Sequence, residues 1–124
     1  MTELIEKKSR FIAYSATISN ETDAKTLIAS IQKEHKRSRH VVFAYVVDGK
    51  EKFSDDGEPN GTAGLPVLTA IKRRNLDNII VVVVRYFGGI LLGKGGLIRA
   101  YGKVAGWELD KVVTTKPTTL PYPH

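Results

Sequence analysis

Hydrophobic and polar positions along this chain change period several times, and each change marks an element. "RFIAYSATIS" alternates and is rich in β-formers, which predicts a strand over Arg10–Ser19. "NETDAKTLIASIQKEH" switches to helical spacing. Asn20 is placed to cap, Asp23 falls in the first turn, and Ala24, Leu27, Ile28 and Ile31 share one apolar face. "HVVFAYVV" and "KEKFS" flank Asp48-Gly49, the preferred pair for a two-residue type I′ turn. Antiparallel strands are expected over His40–Val47 and Lys50–Ser54. A polar loop, "SDDGEPNGTAG", follows. A second helix is expected over Pro66–Arg74, with Val67, Leu68 and Ile71 inward. "NIIVVVV", Asn78–Val84, is apolar at every position after Asn78, as in a central strand shielded on both faces. "GLIRAYGKVAGWELD" predicts a third helix, with Leu97, Ile98, Tyr101, Val104 and Ala105 inward, and "KVVTT" reads as a short final strand. The expected order β-α-β-β-α-β-α favours an α+β fold: a two-layer mixed sheet with helices on one face. "KPTTLPYPH" lacks periodicity and reads as a loose tail.

The bulk numbers narrow the function classes. At 124 residues without cysteine, the chain reads as one domain with neither a disulfide scaffold nor a thiolate nucleophile. The charged start, "MTELIEKKSR", is unlike a signal peptide, and no apolar run has membrane-spanning length. The expectation is a cytoplasmic protein with no membrane association. A net charge of +6 permits nucleic-acid or acidic partners. Its densest cluster is "KEHKRSRH", where Lys33, Lys36, Arg37 and Arg39 define a basic surface expected to carry any RNA affinity.

Two stretches hold candidate chemistry. "RYFGGILLGKGGLIRAYG", Arg85–Gly102, contains six of the chain's 11 glycines. Gly88–Lys94 reads G-x-x-x-x-G-K between strand and helix, as a phosphate loop requires. Gly95 then replaces the Mg²⁺-binding hydroxyl, and Ile90, Leu91 and Leu92 are apolar residues that favour packing back on the core. Arg85, Lys94, Gly95, Gly96 and Arg99 would still suit an anion at a helix start. Gly102, inside the helix, suggests a close neighbour. In the other stretch, Asp55, Asp56 and Glu58 read either as a structured turn or as acid–base groups. An Asp55 or Asp56 carboxylate is expected at the third helix start, with Arg85 or Arg99 nearby. No residue set points to a metal, a cofactor or a catalytic centre.

Together "KSRFIA", "SDDGEPNGTAG" and "VVVRYFGGILLGKGGLIRAYG" resemble the N-terminal domain of the YigZ/IMPACT family over about residues 7–110. The resemblance implies a fold related to the second domain of a small-subunit ribosomal protein, shared with domain IV of elongation factor G and the GHMP kinases. It implies a non-enzymatic module that regulates translation through protein or RNA contacts. Eukaryotic members bind the activator of the general amino-acid-control kinase. The expected partner is a protein of the translation machinery or its regulators, with RNA as a second candidate. The alternative is an enzyme or binder of phosphate-bearing small molecules using the Gly-rich loop at the third helix. The chain departs from the family at His40-Val41-Val42, where His-Asn-Cys is usual, and at Val84, where Thr is usual. Residues 1–110 would form the domain and 111–124 a strand and tail, with the usual second, ferredoxin-like domain absent.

Overall fold

The computed structural model describes residues 1–115. Five strands and three helices alternate as β1 (Thr2–Glu6), β2 (Ser9–Thr17), α1 (Glu21–Glu34), β3 (His40–Val47), β4 (Lys50–Ser54), α2 (Gly64–Arg73), β5 (Ile79–Tyr86) and α3 (Gly93–Thr115). They form one sheet in the order β1-β2-β5-β3-β4. Every pairing is antiparallel, so the expected α+β class holds with a sheet that is not mixed in direction.

β5 lies at the centre, as its uninterrupted apolar run predicts. Val81 and Val83 point into a core shared with Phe11, Val42, Val67, Ile71, Leu97, Tyr101 and Val104, so α2 and α3 together cover one face. Ile80, Val82 and Val84 point the other way, where Ala24, Ile28 and Ile31 of α1 complete a smaller cluster with Ile12 and Tyr45. A strand apolar on both sides needs cover on both sides, and α1 supplies the second.

Local chemistry explains most boundaries. Asn20 Oδ1 accepts from the Asp23 amide at 2.8 Å and caps α1. Asp48 and Gly49 both take positive φ, 52° and 73°, the type I′ signature. The β1–β2 turn has the same backbone at Lys7 and Lys8, with φ of 46° and 67°. Two lysines are not a turn signal, which is why the charged N-terminus conceals an edge strand. "KVVTT" continues α3 instead of forming a strand: it follows the helical frame set by Val104, Glu108 and Leu109 without a breaking residue. The proline-rich tail lies outside the described residues.

Candidate functional site: a closed polar network and an open basic shelf

The acidic loop begins where β4 ends, and its three carboxylates have separate tasks. Asp55 turns toward α2. Its Oδ1 accepts from the backbone amides of Ala63 and Gly64 at 3.1 and 2.8 Å, and its Oδ2 from Gly61 at 2.9 Å. It thus caps a helix whose own N-cap residue, Ala63, has no side-chain oxygen to offer. Asp56 turns toward β3, where one oxygen accepts from the Val41 amide at 2.6 Å. The Asp56 carbonyl accepts from His40 Nδ1 at 2.6 Å.

Glu58 goes inward. It is 8% exposed, and its Oε2 accepts from Arg85 Nη1 and from the Tyr101 hydroxyl, both at 2.6 Å. His40 Nε2 lies 3.4 Å from its other oxygen. Arg85, 5% exposed at the end of β5, also donates from Nη2 to Ser9 Oγ at 3.3 Å. Its guanidinium sits 5.5 Å from the Phe11 ring centre and 5.6 Å from that of Phe87. Burial first, then the bond to Glu58, push the Tyr101 hydroxyl's pKa far above the ordinary phenol range. A hydroxyl held neutral is a permanent donor to the carboxylate. The network therefore ties the acidic loop, β5, β2 and α3 together.

The acidic loop does reach α3, but through Glu58 and Tyr101. The expected hydrogen bond of Asp55 or Asp56 to the α3 start is not made: both Asp55 oxygens accept from amides at and just before the α2 start, and Asp56 turns one oxygen to the Val41 amide of β3. Arg85 is likewise enclosed with Glu58 and does not join Lys94 and Arg99. Lys94, Gly95, Gly96 and Arg99 do stand together on the first turns of α3. There a Cβ on Gly95 would come within 3.2 Å of Arg99 Nη1. The expectation that Ile90 and Leu91 pack inward fails: Leu91 is 81% exposed, and Leu92 alone of the three is buried. The Gly88 backbone approaches Lys8 so closely that a Cβ would lie 2.0 Å from the Lys8 carbonyl carbon. That close approach holds the first residue of the loop against the β1–β2 turn.

The open chemistry lies where α1 hands over to β3. Arg37, Ser38, Arg39, Tyr86 and Phe87 line a depression of about 310 Å³. The Arg39 guanidinium stacks 4.7 Å from the Phe87 ring centre, and the Arg39 amide donates to the Arg85 carbonyl at 2.8 Å, fixing the connection to β5. Lys33, Lys36, Arg37 and Arg39 are all exposed. Beneath them His35 is held between two hydroxyls, Nε2 at 2.7 Å from Tyr14 and Nδ1 at 2.6 Å from Tyr86. Lys33 stands on the last turn of α1, where a cation complements the helix dipole. The basic surface was legible as a charge cluster; Phe87 and Tyr86 were not, because only strand order brings the end of β5 beside the start of β3. No helix among the described residues is long and apolar enough to cross a membrane.

One small α+β domain therefore carries a closed polar network around Glu58 and Arg85 and an open basic and aromatic shelf at Arg39 and Phe87. The chain belongs to the Impact N-terminal domain family, whose model matches residues 7–108. It is 50% identical over 113 residues to the IMPACT family member YvyE of Bacillus subtilis, covering 89% of this chain and 52% of that protein. It is 43% identical over 119 residues to YigZ of Escherichia coli, covering 92% and 58%. The chain thus spans about half the length of the curated relatives it matches. A crystal structure described as that of a hypothetical protein superposes with a TM-score of 0.84 at 42% identity, over 89% of this chain and 57% of that one. The two-domain translational regulator Yih1 shares the fold, with a TM-score of 0.53 at 23% identity over 86% of this chain and 45% of that one.

Proposed function

We propose that this chain is a non-enzymatic, cytoplasmic binding module of a translation regulator, and that it contacts RNA through the shelf formed by Lys36, Arg37, Arg39 and Phe87. The observation that carries the reading is the Arg39–Phe87 stack in an open depression. Cations there neutralise phosphates, while the exposed ring and the guanidinium plane give bases a stacking platform. The densest polar chemistry, around Glu58 and Arg85, is enclosed and engaged with itself, as in a scaffold. The link to translation draws on family membership and on the kinship with Protein IMPACT of Mus musculus, 31% identical over 96 residues covering 73% of this chain and 30% of that protein. A protein of the translation machinery or its regulators is the companion partner under this reading.

Anisotropy of a labelled single-stranded RNA, titrated with the protein across a salt series, tests it. Three contacts to phosphate give a slope of about −2 in log affinity against log salt. Reversing charge at Lys36, Arg37 and Arg39 should abolish most binding, and Phe87→Ala should weaken it with less change in the slope. A flat salt response, or unchanged affinity in the triple variant, removes RNA from the proposal. Pull-down from lysate with and without nuclease then separates RNA-dependent from direct protein partners.

A further inference from the structure

A second surface has different chemistry. Between α2 and α3 runs a groove of about 510 Å³, within the size range of ligand sites. Its aliphatic floor is formed by Leu65, Pro66, Ala70 and Ile98, and its margins carry Arg73 and Arg99. Leu65 is 43% exposed and Ile98 44% exposed. Ile98 was expected inward, yet it lies on this open flank of α3. No acidic residue lines the groove. Among the described residues neither Arg73 nor Arg99 has a carboxylate partner, whereas Arg74, which also lines the groove, is engaged by Asp110 at 2.9 Å and by the Ala70 carbonyl.

Gly102 supplies an independent argument. A glycine inside a helix destabilises it by roughly 1 kcal/mol relative to alanine. Here the fold does not require one: φ is ordinary, and an added Cβ would meet only Pro66 Cβ, at 3.8 Å, an ordinary contact. Contrast Gly106 one turn on, where an added Cβ would lie 3.0 Å from Arg74 Nη2. The missing side chain at Gly102 leaves space in the groove that nothing in the described chain uses.

We propose that this groove docks an acidic peptide segment of a protein partner, seating aliphatic side chains on Leu65, Pro66 and Ile98 while its carboxylates meet Arg73 and Arg99. The charge pattern is complementary to such a segment. The groove has no aromatic ring to stack a base, which distinguishes it from the Arg39–Phe87 shelf. Two helices flanking an apolar trough suit an amphipathic helix laid between them. The site is separate from the RNA shelf in residues and in chemistry.

The test uses the full chain and a fluorescein-labelled amphipathic peptide, with leucines on one helical face and glutamates on the flanks. A scrambled peptide of the same composition is the control. Binding is expected for the amphipathic peptide and not for the scramble. Arg73→Glu with Arg99→Glu should weaken it roughly tenfold or more, since arginines that a bound partner covers are common anchors. Gly102→Leu should weaken it by filling the trough. Gly102→Ala should raise the melting temperature while lowering affinity, a combination that a purely structural glycine does not produce. Equal binding of the scramble, unchanged affinity in the arginine variant, or a lower melting temperature for Gly102→Ala overturns the proposal. So does displacement of the peptide by single-stranded RNA. The Lys36, Arg37 and Arg39 variant must leave peptide binding intact, so failure of the RNA reading and failure of this one are distinguishable.

Discussion

Removing the Glu58 carboxylate is the sharpest test of how the fold is held. In Glu58→Ala, Arg85 remains charged at 5% exposure with only Ser9 Oγ, at 3.3 Å, as a side-chain partner. Breaking one side of such a buried pair costs about 3–5 kcal/mol, because the remaining ion is left desolvated. Tyr101 also loses its acceptor, a further cost of about 1–3 kcal/mol for a buried hydroxyl. Against a typical total stability of about 5–15 kcal/mol, the variant should be marginal. For a domain of this size each kcal/mol shifts the melting temperature by about 3–6 °C. Urea unfolding followed by far-ultraviolet circular dichroism gives the magnitude. Glu58→Leu with Arg85→Met removes both charges and should be more stable than either single variant. Adding Tyr101→Phe should recover more, since it removes the stranded hydroxyl. The cycle should show a coupling energy of about 2 kcal/mol or more. If Glu58→Ala costs less than about 1 kcal/mol, or the single effects simply add, the network does not hold the acidic loop to β5.

Asp55→Ala strands the amides of Gly61, Ala63 and Gly64 and should cost about 2–4 kcal/mol in the same denaturation assay, with Asp55→Asn milder because one acceptor survives. Gly88→Ala should prevent cooperative folding, since its Cβ would lie 2.0 Å from backbone, whereas Gly89→Ala, with φ of 87° in open space, should lower stability by about 1 kcal/mol. Equal melting curves for the two would refute the anchoring role given to Gly88. Tyr101, Tyr14 and Tyr45 all have pKa values raised by burial. A raised folded-state value means the unfolded chain loses its phenolic protons first. Their contribution is full below the unfolded value of about 10 and is lost as pH rises beyond it. Melting temperature should therefore fall above about pH 10, less steeply in Tyr101→Phe, and phenolate absorbance should lag until unfolding.

Local periodicity by itself determined much of this protein. The apolar run after Asn78 specified a central strand covered on both faces, Asp48-Gly49 specified the hairpin, and Asn20 with Asp23 specified the start of α1. The motifs "SDDGEP" and "RYFGG" marked the family, and the charges at Lys33–Arg39 marked a surface. Each of these signals is carried by neighbours in the chain, so pattern alone suffices. The tasks of the three carboxylates were not legible, because Asp55, Asp56 and Glu58 lie within four positions and share one chemistry. Their division follows from the path of the loop, which passes the α2 start, then β3, then the interior. Gly88 and Gly89 look alike in sequence, yet only Gly88 meets another strand's backbone. Phe87 becomes part of the shelf, Leu91 becomes exposed and Gly102 borders a groove because β5 lies between β2 and β3 with α2 and α3 side by side. Those juxtapositions join residues distant along the chain. No local period encodes them, and burial and strand pairing decide them only once the whole sheet has formed.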